Sequence, residues 1–160
     1  MVWRSSTTLR DRILAALMYL IPLYDGIVYG RFLFAQFPFL EYLKIPLIPL
    51  AIVYSLIPFG LGSLLVFILL FVAVVRNEKI PHFIRFNTMQ AILISILLAI
   101  IDLIYDVILQ PLIRGFFAEV LFNTIFLGVL AMVGYSVVQS VRGRYAEMPL
   151  ISEASYLQTR

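Results

Sequence analysis

The sequence predicts an all-α integral membrane protein with four transmembrane helices. Of its 160 residues, 62% are hydrophobic and 13% are charged, and the mean hydropathy is +1.01. A soluble domain carries about 25% charged residues, so this chain has too little polar surface to cover a water-facing globule. Four apolar runs are long enough to form spans, and prolines break the stretch between the first and the second. That stretch is predicted to be interfacial or re-entrant.

The predicted organisation is a single membrane domain between two short polar ends. Residues 1–12 form the N-terminal segment, residues 13–138 the four-helix domain and residues 139–160 the C-terminal tail. The spans are predicted at about 13–29, 60–75, 89–109 and 116–138. The tail is expected either to dock on the inner face or to be disordered.

The first span, Ile13–Tyr29, covers about 25 Å as a helix and is short for a hydrocarbon core of about 30 Å. Pro22 removes the backbone bond to Met18, so a kink is expected. No small-x-small cleavage pattern follows the run, which predicts a retained helix rather than a signal peptide. Gly26 and Gly30 form a GxxxG motif that is either a close helix contact or a flexible exit from the span.

The segment between the first two spans is too apolar for an aqueous loop and too broken for one clean helix. Its aromatic rings are typical of the membrane interface. A fifth span at Ile45–Phe59 is the alternative. The breaks are Pro38, Pro46, Pro49 and Pro58.

The distribution of Lys and Arg distinguishes the two topologies. With four spans, nine basic residues lie on one side and three on the other, whereas a fifth span gives eight against four. The positive-inside rule therefore favours four spans with both termini in the cytoplasm or stroma. The nine are Arg4, Arg10, Arg12, Arg76, Lys79, Arg85, Arg142, Arg144 and Arg160, and the three are Arg31, Lys44 and Arg114.

The third span carries a polar and small-residue stripe on one helical face. At about 100° per residue, the stripe contains Thr88, Ala91, Ser95, Ala99, Asp102, Asp106 and Gln110. The stripe has two interpretations. It is either a packed interface with the acids in salt bridges or the lining of a polar pathway. The opposite faces are Ile and Leu, so we expect the replacement of Ile94 or Leu98 by another large aliphatic residue to matter much less than Ser95→Leu.

Asp25 and Glu119 fall at the same depth as Asp102 and Asp106, near the outer ends of their spans. Together with Ser95 they are the candidate polar face, which forms either an acidic vestibule or salt bridges that fix helix packing. Arg31 and Arg114 share that depth.

At the inner end of the third span, Arg85, Asn87 and Gln90 are candidate contacts for a partner protein or for lipid. Asn87 is also a candidate N-cap of the third helix.

The composition excludes several classes of function. There is no cysteine and one histidine, His82, so disulfides, Cys nucleophiles, His-based metal clusters and Ser-His-Asp chemistry lack their residues. We predict no enzyme, no cofactor and no metal. The net charge of +3 comes from basic residues at span ends and does not indicate nucleic-acid binding.

Several stretches resemble a known family, the twenty-kilodalton membrane subunit of TIC, the translocon of the chloroplast inner envelope. The similarity includes its cyanobacterial and plastid-encoded members. Fairly specific blocks are YLIPLYDG and RFN-x-MQA, within Arg12–Gly30 and Phe83–Ala91. Further matches are residues 31–38, 74–77 and 151–160.

The resemblance implies four helices, both termini stromal or cytoplasmic, and location in the plastid inner envelope or a cyanobacterial plasma or thylakoid membrane. It also implies a subunit of a protein-translocation complex that contributes to a channel. The implied partners are other membrane subunits or copies of itself, the translocating polypeptide and lipid. The sequence carries no long transit region, which favours a cyanobacterial or plastid-encoded source. The alternatives are a small solute or ion transporter and a structural assembly factor for membrane complexes.

Overall fold

The computed structural model describes residues 7–58, 61–149 and 151–159. Short 3-10 helices at Ile27–Gly30 and Pro38–Leu47 join neighbouring helices, and π-helical turns at Phe71–Val75 and Tyr105–Leu109 extend α5 and α6. The α-helices are α1 (Leu9–Met18), α2 (Leu20–Gly26), α3 (Arg31–Gln36), α4 (Ile48–Ser55), α5 (Gly62–Leu70), α6 (His82–Ile104), α7 (Phe116–Val141) and α8 (Ile151–Thr159).

Four helical stretches are long and apolar enough to cross a membrane, which confirms the predicted fold class. They are Leu9–Gln36, Pro38–Ser55, His82–Leu109 and Phe116–Val141. The second stretch lies within the proline-broken region, whereas residues 60–75 contribute the shorter helix Gly62–Val75.

The N-terminal helices run beside α6 in the same direction. Tyr19 contacts Asn87 near the start of α6, and Tyr29 contacts Asp102 near its end. Helix α7 runs the opposite way against both, since Gln36 at the end of α3 pairs with the first turn of α7.

The chain between α3 and α6 crosses the bundle in two pieces. The Tyr54 ring at the end of α4 lies 4.7 Å from the Tyr24 ring in the middle of the N-terminal span. The Val75 carbonyl, at the far end of α5, accepts a 2.8 Å hydrogen bond from Arg85 at the start of α6. This crossing is therefore interrupted halfway, between α4 and α5.

Local sequence signals explain two helix boundaries at the N-terminus. Thr8 and Asp11 form a reciprocal capping box at the start of α1, which satisfies free backbone donors there. The expected kink is the break at Tyr19 between α1 and α2. It lies next to Met18, the residue whose carbonyl Pro22 cannot bond.

A Schellman turn ends α7 and sets the direction of the tail. Gly143 has φ +70°, its amide bonds the Ser140 carbonyl at 2.9 Å, and the next amide, of Arg144, bonds Gln139 at 2.9 Å. Glycine accepts this left-handed conformation without strain.

The GxxxG motif is a close helix contact. A Cβ on Gly26 would lie 2.7 Å from Val129 Cγ1, and one on Gly30 would lie 2.9 Å from Phe126 Cζ. The missing side chains thus let the N-terminal span approach α7.

The structure bears on two expectations about the third span. Ile94 and Leu98 are 0% and 2% exposed and belong to the main core, so their side of α6 packs inside the protein, and the tolerance of another large aliphatic there stays a prediction. Helix α6 begins at His82 after Pro81, which places Asn87 inside the helix rather than at its N-cap. The core-facing side of α6 is the aliphatic side together with Ala91.

Candidate functional site

A buried polar cluster joins four elements at the end of the bundle where α6 begins. The Tyr19 hydroxyl lies 2.8 Å from Asn87 Oδ1 and 2.7 Å from Gln90 Oε1. Ser140 of α7 donates to the same Asn87 oxygen at 3.0 Å. All four side chains are fully buried, and buried polar groups are stable only when they are hydrogen-bonded in this way.

The same cluster docks the C-terminal tail. Gln90 Nε2 donates to the Ala146 carbonyl at 2.6 Å and to Ser152 Oγ at 3.0 Å. Ser152 in turn accepts a 2.6 Å bond from the Met148 amide. The described residues of the tail therefore dock on the end of the bundle where α6 begins, and the assignment of this end to the inner face stays a prediction.

Aromatic and hydroxyl contacts complete the dock. His82 contacts the Tyr145 hydroxyl at 3.0 Å and the Thr159 hydroxyl at 3.2 Å through its two ring nitrogens. The Phe86 ring lies 4.6 Å from the Tyr156 ring. The sequence did not indicate these contacts, which join residues more than sixty positions apart.

A cavity of about 440 Å³ lies between the N-terminal span, α5 and α6. Asp25, Ser95 and Asp102 line it, together with Ser63 at the start of α5. Apolar side chains form most of the remaining wall. The stripe on α6 therefore faces a cavity over the turns that contain Ser95, Ala99 and Asp102.

Asp102 is held at this cavity by Tyr29, whose hydroxyl donates to its carboxylate. Asp106, one turn further along, is exposed. Within residues 7–58, 61–149 and 151–159, the single salt bridge joins Lys44 and Glu41. The acids of α6 thus have no Lys or Arg partner among the described residues.

Glu119 belongs to a second cavity, of about 800 Å³, at the end of the bundle where α7 begins. Arg31 and Arg114 line this cavity too, and Gln36 donates to Glu119 at 2.6 Å. The structure brings Asp25 and Asp102 together in one cavity and places Glu119 with the arginines in the other. The acidic and basic residues of this depth do not form one cluster.

The candidate inner-side contacts are mostly enclosed. Asn87 and Gln90 are 0% exposed and Arg85 is 9% exposed, and each bonds atoms of this chain. Among the described residues, no group of three His, Cys, Asp or Glu side chains is arranged to hold a metal ion.

Residues 7–155 match the family described as "Chloroplast import apparatus Tic20-like". The chain belongs to the Tic20 family. Among Tic20 relatives, a Tic20 family protein of Synechocystis is 51% identical over 94% of this chain and 94% of its own length. Protein TIC 20-v, chloroplastic, of Arabidopsis thaliana is 36% identical over 91% of this chain and 69% of its length. The Tic20 family protein Ycf60 of Gracilaria tenuistipitata is 31% identical over 94% and 76%.

The Tic20 relatives are therefore chloroplastic, plastid-encoded or cyanobacterial, as the sequence resemblance implied. Their names indicate a translocon-associated membrane protein rather than an enzyme. Tyr19, Asn87 and Gln90 come from the two specific blocks of the Tic20 resemblance, so these blocks meet in the buried cluster that docks the tail.

Proposed function

We propose that this chain is a membrane subunit of a protein-translocation complex and that its acidic cavity contacts the passing polypeptide. The observation that carries the proposal is the pair of carboxylates, Asp25 and Asp102, in one cavity without a basic partner within 4.0 Å among the described residues. An aspartate at the centre of a lipid-facing helix costs about 2.5–3.5 kcal/mol. Two aspartates on neighbouring helices are therefore stable only where water or a substrate reaches them.

The cavity supports contact with a chain of varied sequence better than recognition of one ligand. Its wall combines carboxylates and hydroxyls with apolar side chains such as Phe67 and Ile92. Carboxylates attract basic segments of a polypeptide through long-range electrostatics, which needs no fixed coordination geometry. The family description, "Chloroplast import apparatus", is consistent with this role.

A single chain supplies one wall of such a passage, so we propose that other membrane subunits or further copies of this chain complete it. The outer surface of α4, α5 and the residues that directly follow them is strongly apolar, with Leu56 77%, Leu69 63% and Val72 61% exposed. In a bilayer, lipid or a neighbouring helix covers such a surface.

We further propose that both termini lie on the stromal or cytoplasmic side, in a plastid inner envelope or a cyanobacterial membrane. Thr7 and Arg12 lie against Gly143, so the N-terminal segment and the end of α7 meet at one end of the bundle. The Val75–Arg85 contact brings the middle loop to that same end. Seven of the nine basic residues in the positive-inside count belong to the described parts of these segments.

The test places a photo-crosslinking side chain at Ala99, which is exposed and lines the cavity. A precursor polypeptide is arrested during transport in native membranes and then irradiated. We expect a crosslink from position 99. The control is position 131 on α7, where an exposed alanine lies outside both cavities.

Crosslinks of equal yield at 99 and 131, or none at 99 while the complex is intact, would overturn the proposal. Water access is measured in the same chain, because it contains no cysteine. Ser95→Cys and Asp102→Cys should react with a membrane-impermeant thiol reagent, with Lys44→Cys as the exposed reference. Leu98→Cys, in the core, should not react.

The second candidate is a small solute or ion transporter, favoured by the same pair of carboxylates beside the Ser95 and Ser63 hydroxyls. If the chain is such a transporter, Asp102→Asn abolishes ion flux in proteoliposomes of the purified chain, and no crosslink to an arrested polypeptide is expected. A polypeptide passage predicts crosslinking in native membranes and only a modest loss on neutralising Asp102.

A further inference from the structure

The second cavity, at the end of the bundle where α7 begins, contains two guanidinium groups. Arg31 and Arg114 line it, and Glu119 is the one carboxylate among its lining residues. Its volume of about 800 Å³ lies in the range of small-ligand sites, roughly 300–1,000 Å³. The lining charge of this cavity is therefore net positive, unlike that of the acidic cavity.

The charges of this cavity are not neutralised within the protein. Glu119 accepts a 2.6 Å hydrogen bond from Gln36 rather than pairing with an arginine. Neither guanidinium has a carboxylate within 4.0 Å among the described residues. Helix α7 begins here at Phe116, and its N-cap residue, Gly115, offers no side chain to cap it, so the first free N–H groups of α7 add positive potential at the cavity.

Two aromatic rings hold the Arg31 guanidinium in position. Its Cζ lies 4.1 Å from the Phe122 ring centre and 4.8 Å from that of Phe32. Cation–π contacts of this kind place the charge over the ring face and use none of the N–H donors as hydrogen bonds to a carboxylate. A planar fork of N–H donors matches the oxygens of a phosphate.

The cavity lies at the border of the apolar surface. It contains the turn that joins the two membrane-length helical stretches His82–Leu109 and Phe116–Val141. Phe116, on its rim, is 71% exposed, and the adjacent Phe117 and Leu112 are 72% and 75% exposed. An anion bound here therefore has apolar surface directly beside it.

We propose that this cavity binds the phosphate of an anionic phospholipid, with Arg31 and Arg114 contacting the headgroup and the acyl chains lying along Phe116 and its neighbours. A phospholipid headgroup and a free phosphate ion would both offer the arginines a phosphate group. The apolar rim selects the lipid, because only the lipid has acyl chains to cover it. A zwitterionic headgroup such as phosphocholine binds more weakly because its own cation opposes the two arginines.

The experiment is native mass spectrometry of the full chain released from detergent, titrated with phosphatidylglycerol or phosphatidylcholine. We expect the first phosphatidylglycerol to bind more tightly than phosphatidylcholine. The double variant Arg31→Gln/Arg114→Gln should weaken that first binding by about tenfold, because a hydrogen bond to a charged group is lost. The matched control Arg76→Gln/Arg142→Gln removes two exposed charges from the other end of the bundle and should leave it unchanged.

Arg114→Gln alone keeps the experiment interpretable if the double variant folds poorly, since Arg114 lies in an exposed turn. Equal affinity of the wild type and this variant for phosphatidylglycerol would overturn the proposal. A third arm adds glycerophosphoglycerol, the headgroup without acyl chains, and inorganic phosphate as competitors. Displacement of the lipid by either at equal concentration would show a site for a free anion and would also overturn it.

Discussion

The Tyr29 hydroxyl donates a hydrogen bond to the Asp102 carboxylate, across the contact between the N-terminal span and α6. Tyr29 is 1% exposed, so its hydroxyl depends on this acceptor. Asp102 is consequently fixed at the wall of the acidic cavity rather than free to turn towards lipid.

We expect Tyr29→Phe to reduce stability by about 0.5–2 kcal/mol, the range found for hydrogen bonds between membrane helices. Unfolding in detergent measures the change, and a double-mutant cycle with Asp102→Asn isolates the pair. Strictly additive losses in that cycle would show that the two groups do not interact.

Gly26→Ala should destabilise the protein by about 1–3 kcal/mol, because the new Cβ would lie 2.7 Å from Val129. Gly128→Ala on α7 is the matched control, since a Cβ there has no atom within 4 Å. It should be neutral or gain up to about 1 kcal/mol of helix propensity. Thermal unfolding of both variants makes the comparison, and equal effects would contradict the close contact.

Ala91→Leu should disrupt the core, because Ala91 is 0% exposed and overpacking costs about 1–3 kcal/mol. Ala131→Leu makes the same chemical change on an exposed surface of α7 and should be tolerated. Folded yield after purification and the unfolding midpoint both report the difference. If Ala131→Leu proves the more damaging of the two, the assignment of the core side of α6 is wrong.

Gln90→Leu should release the tail, since it leaves the Ala146 carbonyl without its 2.6 Å donor and Tyr19 without one acceptor. An unsatisfied buried polar group costs about 1–3 kcal/mol. Hydrogen exchange in residues 146–159 should become faster. Gln158→Leu changes an exposed glutamine of the same tail and should leave the exchange rates as they are.

High pH should also release the tail. Burial raises the pKa of Tyr145, with a smaller effect from the neighbouring Tyr156, whose own pKa is raised by burial and by Glu147. The pKa values of both tyrosines in the folded protein therefore exceed the ordinary value of about 10. The two neutral hydroxyls contribute their full stabilisation of the docked tail below about pH 10, and this contribution is lost as the pH rises through the folded pKa values. A spin label on the exposed Leu157→Cys should become mobile over that window, and less steeply in Tyr156→Phe.

The sequence predicted features that depend on neighbouring residues along one helix. Pro22 located the break after Met18, and the long apolar runs located the spans of α6 and α7. The pairing of Gly26 and Gly30 indicated a close approach, although not that α7 would be the partner.

Features that depend on a distant segment were missed. A 3.6-residue periodicity identifies the faces of α6 but not which face meets the core, so Ile94 and Leu98 were placed on the wrong side. The sequence indicated Asn87 and Gln90 as contacts for a partner or lipid because their actual partners are distant in sequence: Tyr19 lies 68 residues before Asn87, and Ala146 lies 56 residues after Gln90. The separation of the charged residues into an acidic and a basic cavity was missed for the same reason. The sequence indicates the depth of each residue along its helix but not the direction in which its side chain points.

The crossing shared by α4 and α5 has helix ends at membrane depth. The 14 residues of Gly62–Val75 cover about 21 Å, less than the hydrocarbon layer of about 30 Å, and α4 covers the other part of the depth. Helix ends leave backbone groups without intrahelical partners, and at membrane depth such groups are tolerated only where protein or water satisfies them. Since α5 also walls the acidic cavity, the hydration of that cavity and the integrity of this crossing depend on each other.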